Sequence, residues 1–312
     1  MRAINGLSLM LFFVLLILLP ILYLRQSIPP GFKSGLNIVI YSRSENRIYR
    51  TNMENYLVGV VGAEMPAKFE IEALKVQAIA ARTLAIRRLK RFGGQGCQHY
   101  RGADFCDDFR ENQAWLSKSG LKKKWGKNFT NYYQRVYYAI KQTEGIILTY
   151  QGRPIDAVFH STCGGITANA DEVWNYSLPY LQSVVCQYDR HSHRYSEKLM
   201  FKWEKVSRKL EISVKKAKQL KVLHRSRTNR VLTIGTGKFY LNGKDFRERL
   251  GLNSTIFKLH PTRNGLNITT IGYGHGVGMC QYGADGLARH GFKYQQILSH
   301  YYRGVQFCKI KD

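Results

Sequence analysis

Three stretches of this 312-residue chain carry side chains whose types and spacing suit chemistry. The first is Glu64-Met65-Pro66, followed by Lys75 and Arg82. A carboxylate on a loop ahead of a helix can be held out into a cleft. Lys75 and Arg82 are seven residues apart. At about 3.6 residues per turn they share one helical stripe. Two cations on a stripe flanked by apolar residues suit an anionic ligand. The alternatives are that both snorkel to solvent, or that one pairs with Glu64 as a structural ion pair. The second stretch is His160-Ser161-Thr162-Cys163-Gly164-Gly165. Its glycine pair lets backbone approach a ligand. Neighbouring His and Ser on a strand point to opposite faces, which argues against a nucleophile–base pair. A strand-end turn with a buried Cys is the structural alternative. The third runs from Gly272 to Ala284, where Gly272, Gly274, Gly276 and Gly278 alternate and frame His275 and Gln281. Those two side chains can hydrogen-bond a sugar or orient a carboxylate. The stretch lacks the Lys-Ser/Thr of a P-loop, and a packing turn is its structural alternative.

The elements that must position these groups are legible from pattern. Residues 37–49 read as strand, turn and strand. Residues 53–61 read as a short helix ending near Met65, which Pro66 restricts. Residues 70–91 form the clearest helix, with Ala73, Val76, Ala80, Ala81 and Leu84 on a small-residue face. Its acidic start and basic end suit the helix dipole. Residues 93–131 are polar, Gly-rich and Lys-rich, and read as an irregular excursion. A helix is expected over 131–143 and strands over 146–150 and 155–161. Within a basic region at 196–252, helices are expected near 203–210 and 244–250. Two more follow at 281–290 and 294–302. The expected fold class is α+β, a membrane-anchored mixed α/β domain with a smaller inserted or second subdomain.

The chain has 48 Lys+Arg against 21 Asp+Glu, a net charge of +27, and 44% hydrophobic residues. It can bury a core, so intrinsic disorder is excluded. Such charge calls for an anionic partner: nucleic acid, anionic lipid or an acidic polymer. Residues 7–24 carry no charge across 18 positions, enough to span roughly 30 Å of hydrocarbon. No small-x-small cleavage site follows. We therefore expect an anchor over residues 1–25, a linker over 26–36 and an extracytoplasmic domain over 37–308. Export removes nucleic acid as a partner and leaves the membrane surface and wall polymer. Six cysteines permit disulfides in that compartment, with Cys163–Cys186 one candidate pair; buried free thiols are the alternative.

In register, ENYLVGVVGAEMP, EALKVQAIAARTLA, HSTCGGITANADEVW with PYLQSV, and GYGHGVGMCQYGADGLARHGFKYQQILSHYYRGV closely resemble the stage II sporulation protein D family, which includes amidase enhancers. The resemblance spans roughly residues 37–308. It implies a peptidoglycan lytic transglycosylase that cuts the β-1,4 bond between N-acetylmuramic acid and N-acetylglucosamine in peptide-stripped strands, closing a 1,6-anhydro sugar. Glu64 matches the family's catalytic glutamate, and Lys75 and Arg82 match its functional cations. Ser161, Tyr180, His275 and Gln281 complete the expected substrate-binding set. A second implied role is a non-catalytic glycan-binding scaffold that stimulates an N-acetylmuramoyl-L-alanine amidase. Some relatives bind zinc after the long helix through cysteines and a His. Here Cys106 and His99 are present, Asn112 stands in the H-C-Q position, and Cys97 could substitute. No cofactor is expected, with zinc through Cys97, His99 and Cys106 the alternative.

Overall fold

A computed structural model describes residues 35–108, 110–174 and 176–310. The expected anchor and nearly all of the linker lie outside these residues. Among the described residues no helix is long and apolar enough to cross a membrane.

The chain begins with β1 (Asn37–Ser42) and β2 (Arg47–Asn52), antiparallel from Asn37↔Asn52 to Ser42↔Arg47. Ile38 and Ile40 alternate inward, and Asn46 takes a positive φ of 47° to close the turn. The Asn52 side chain accepts the Asn55 N–H at 2.9 Å, capping α1 (Met53–Glu64). α1 extends past the expected Val61 and carries Glu64 as its last residue. Glu64 is therefore at a helix C-terminus rather than on a free loop. α2 (Ile71–Arg88) follows, with Ala73, Ala78, Ala80, Ala81 and Ala85 all fully buried. Helices apolar all round belong inside a core, and α2 lies between α1, α4 and a sheet.

β3 (Phe105–Cys106) joins β1 in parallel. α3 (Lys118–Trp125) lies in the stretch expected to be irregular. Ser117 caps it, and Leu121 and Trp125 pack inward, a stripe too short to outweigh the lysines in the sequence. α4 (Phe129–Gln142) leads to β4 (Ile146–Tyr150) and β5 (Arg153–Pro154). The strand expected over 155–161 is reduced to β6 (Phe159–His160). β7 (Gly165–Ile166) pairs with β8 (Val185–Cys186).

A second, smaller hydrophobic core follows. It is built from β9 (Ser196–Lys202), α5 (Trp203–Leu210), α6 (Val214–Ala217), β10 (Lys221–Arg225), β11 (Val231–Thr236), β12 (Phe239–Asn242), α7 (Gly243–Leu250), β13 (Phe257–Pro261) and β14 (Gly265–Ile271). Its strands form two sheets, β10-β11-β12 and β13-β14-β9. Phe201, Trp203, Val206, Leu210, Phe246 and Phe257 fill it. The chain then returns to the main core. β15 (Met279–Cys280) pairs in parallel with β6, and α8 (Gln281–Arg289) and α9 (Tyr294–Tyr301) follow. β16 (Gln306–Lys309) completes the sheet β16-β4-β5.

Candidate active site

A cavity of about 910 Å³ lies between the two cores. The end of α1, the β6 turn, the segment 273–282 and the α7 end with Asn253 all line it. Four expected site residues meet there: Glu64, Ser161, His275 and Gln281.

Burial pushes the Glu64 carboxyl above its ordinary range, opposed by the Ala114 N–H and by Lys124. The Ala114 N–H donates to Glu64 Oε1 at 2.8 Å. The negative end of the α1 dipole also disfavours the carboxylate anion. Lys124 Nζ donates to the Gly62 and Ala63 carbonyls, each at 2.8 Å, so it caps α1 rather than forming a direct ion pair with Glu64. Gln281 Nε2 donates to the Glu64 carbonyl at 3.2 Å and to Gln77 Oε1 at 3.1 Å. Gln281 thus fixes the backbone beneath the carboxyl.

His275 accepts the Val277 N–H on Nδ1 at 3.1 Å, so its Nε2 carries the proton given to the Phe159 carbonyl at 2.9 Å. Burial holds its pKa down to about 4, so the ring is neutral and both nitrogens are committed within the protein. The glycines around it explain their own spacing. A Cβ at Gly274 would press on His160, and one at Gly278 would collide with the Val158 carbonyl. Both have positive φ. These glycines let the segment lie against β6 and so place His275 and Gln281 on the cavity wall. Ser161 lines the cavity, and its carbonyl takes the Tyr282 N–H at 3.0 Å.

The other three expected substrate contacts lie elsewhere. Arg82 is wholly buried and grips Glu54, with Nε to Oε1 at 2.9 Å and Nη2 to Oε2 at 2.5 Å. Its Nη1 donates to the Ile146 carbonyl at 3.0 Å. Lys75 pairs with Glu72 at 2.8 Å beside the Tyr294 ring. Both cations do lie on one helix, but α2 packs within the core, so they meet protein carboxylates. Tyr180 faces the main core, where its hydroxyl accepts the Asp156 N–H at 3.2 Å and its ring packs on Tyr150.

Sequence reasoning missed the cations that do line the cavity: Lys68, Lys124, Arg194 and Arg247. Arg194 lies 4.1 Å over the Tyr273 ring. Glu64 is the one carboxylate in this lining, so the cavity favours an anion. Each cation comes from a different element, and no spacing rule joins them. The basic run ahead of Trp125 was the only local signal.

Five of the six cysteines fall in two clusters, and all six thiols are free, so the expected Cys163–Cys186 bridge is not formed. The Cys97 and Cys106 sulfurs and a Glu111 carboxylate oxygen lie within 4.8 Å of one another. His99 Nδ1 contacts Glu111. Asn112 Oδ1 accepts the Cys106 N–H at 2.9 Å. Two thiols, a carboxylate and an adjacent imidazole are a donor set that fits zinc.

Fold and site define a mixed α/β protein with a half-buried carboxylate in a basic cleft. The family model for stage II sporulation protein matches residues 41–150. Stage II sporulation protein D of Bacillus amyloliquefaciens is 36% identical over 278 residues, 89% of this chain and 80% of that protein. Its Bacillus subtilis (strain 168) counterpart is 36% identical over 277 residues, 88% and 80%. An amidase enhancer of Bacillus subtilis is 26% identical over 307 residues, 80% of this chain but 40% of its own length. The chain belongs to the stage II sporulation protein D family.

Proposed function

We propose that this protein remodels the cell wall as a lytic transglycosylase acting on peptide-stripped glycan, with Glu64 as its general acid and base. The observation that carries the reading is a single half-buried carboxylate, its pKa raised by burial, facing a cavity lined by four cations. Ordinary glycosidases need two carboxylates. Here the substrate's own 6-hydroxyl replaces the second. Protonated Glu64 gives its proton to the glycosidic oxygen as the C1–O bond breaks. The 6-hydroxyl oxygen bonds to C1, and its proton returns to Glu64. Atoms balance without water, and the muramic unit ends as a 1,6-anhydro sugar.

Removal of the stem peptide leaves a lactyl carboxylate on each muramic unit. Arg194, Arg247, Lys68 and Lys124 are the cations we assign to it, in place of the Lys75 and Arg82 expected earlier. Ser161 contributes a hydroxyl on the cavity wall, while His275 and Gln281 position the walls. If zinc binds Cys97, Cys106 and Glu111 with His99 beside them, it would cross-link the 97–111 segment to the β1 sheet. No step of the reaction runs through it. Residues 7–24 would tether the domain on the outer face of the membrane, for wall remodelling in sporulation or division.

The test is mass spectrometry of products from amidase-treated glycan incubated with the full chain. Wild type is expected to release anhydro-muramic ends and Glu64→Gln roughly 10²–10⁴-fold less, with glycan binding retained. Unchanged release by Glu64→Gln would refute the assignment. Binding by wild type without product would favour the second reading, a scaffold that stimulates an amidase, which the likeness to a protein named amidase enhancer supports.

A further inference from the structure

Behind the cavity wall, four ligand-type side chains from separate parts of the chain converge. Cys163 follows β6, Cys186 ends β8, Asp189 lies in the turn after it, and Cys280 caps α8. All four are buried, and one ligand atom from each lies within 4.8 Å of every other. Asp189 Oδ2 is 3.2 Å from Cys163 Sγ and 3.7 Å from Cys280 Sγ. Around zinc, bonds of about 2.3 Å to sulfur and about 2.0 Å to oxygen at tetrahedral angles put S···O edges near ~3.5 Å and S···S edges near ~3.8 Å. The two S···O separations of 3.2 and 3.7 Å bracket that edge, and every other ligand-atom pair lies within 4.8 Å.

Three further observations point to a cation. First, Asp189 Oδ1 is buried with no hydrogen-bond partner. The partners of Asp189 Oδ2 are the Gly164 N–H at 2.7 Å and the two thiols, none of them a cation. A buried carboxylate so placed demands neutralisation. Second, donors surround the sulfurs as they do in metal–thiolate sites. The N–H groups of Cys163 and Gly283 both donate to Cys280 Sγ at 3.3 Å, at the positive end of α8. The Tyr301 hydroxyl sits 3.1 Å from Cys186 Sγ. Third, the packing leaves room for nothing larger than hydrogen at Gly283, where a Cβ would collide with the Cys186 sulfur.

We propose that Cys163, Cys186, Cys280 and Asp189 form a closed, structural site for a soft divalent cation, zinc by ligand type. Three thiolates and one carboxylate suit tetrahedral zinc rather than magnesium or calcium. Cys186 and Asp189 are three residues apart, the spacing of a C-x2-C zinc knuckle with a carboxylate in the second place. Binding releases the thiol protons and occupies all four groups at once. A disulfide would use two sulfurs and leave the third beside an unsatisfied carboxylate. The ion would also hold the cavity wall, because Ser161 is two residues from Cys163 and Gln281 directly follows Cys280. This site is distinct from the Cys97–Cys106 cluster.

The test uses the full chain purified in detergent, with Cys97 and Cys106 both changed to Ser to silence the other cluster. Elemental analysis is expected to find one zinc per chain. Cobalt substitution should give a sulfur-to-cobalt charge-transfer band and the intense visible bands of a tetrahedral ion. Adding Cys280→Ser should abolish both signals. Asp189→Asn, which preserves shape, should weaken cobalt binding roughly tenfold or more. This variant keeps the test decisive if Cys280→Ser does not fold. The proposal is overturned if the Cys97/Cys106 variant carries no metal and gives no charge-transfer band. It is equally overturned if intact-mass and thiol counts find a disulfide among Cys163, Cys186 and Cys280, or if Asp189→Asn binds cobalt unchanged.

Discussion

Two glutamates on α1 meet opposite fates. Glu54, in its first turn, is buried against Arg82, which grips both carboxylate oxygens. Glu64, at its last position, is half-buried, and its carboxyl meets one backbone N–H and an open cavity. Both carboxylates sit on one helix, ten residues apart. The difference is the partner. A bidentate guanidinium ties both Glu54 oxygens into the core. Without such a partner, burial favours the protonated form of Glu64, the form a proton donor needs. A buried carboxylate is therefore structural or chemical according to what faces it.

The largest effect should come from breaking the paired end. Arg82→Ala leaves Glu54 buried and uncompensated, at a cost of about 3–5 kcal/mol. Urea unfolding measures it, and the double variant Glu54→Leu/Arg82→Met should recover much of the loss. If Arg82→Ala instead folds normally and loses only glycan binding, Arg82 returns to the substrate.

At the unpaired end the expected change is in rate. Glu64→Gln should lower anhydro-muramic release by roughly 10²–10⁴-fold. The raised folded pKa of Glu64 means that its contribution to stability is present at low pH and is lost as pH rises through that value. The Gln variant is free of this loss, so its melting temperature should equal or exceed wild type, with the gap widening above the ordinary carboxylate range. A lower melting temperature across all pH would make Glu64 a structural residue like Glu54.

Lys124 tunes the same end. It favours the Glu64 anion, so Lys124→Met should raise the Glu64 pKa and move the alkaline limb of the rate–pH profile upward. The lost helix cap should cost about 1 kcal/mol. A limb that moves downward would assign the alkaline limb to another group. The smallest effect belongs to Lys75. Its pair with Glu72 is partly exposed, so Lys75→Met should cost no more than about 1 kcal/mol by thermal melting and leave release unchanged. A loss of release there would restore Lys75 to the substrate site.

Much of this was legible in the chain. The strand–turn–strand of 37–49 and the helix over the 70–91 stretch read correctly because their causes are local. α3 was hidden by its lysines, since only Leu121 and Trp125 mark its buried side. For the site, Glu64, Ser161, His275 and Gln281 could be picked out from their motifs. Arg194 and Lys124 could not, because they come from distant elements without a shared pattern.

By itself, the sequence determined that Glu64 would stand at a helix–proline junction and that Lys75 and Arg82 would share a helical stripe. It also determined that glycines would allow close contact around His275. Helical period, proline sterics and missing Cβ atoms are properties of a few neighbouring residues. Only the tertiary structure decided which way the stripe faced, that Arg82 would meet Glu54, and that the cavity cations would come from four other places. Those outcomes depend on which surfaces the long-range packing brings together, and no local window contains that information.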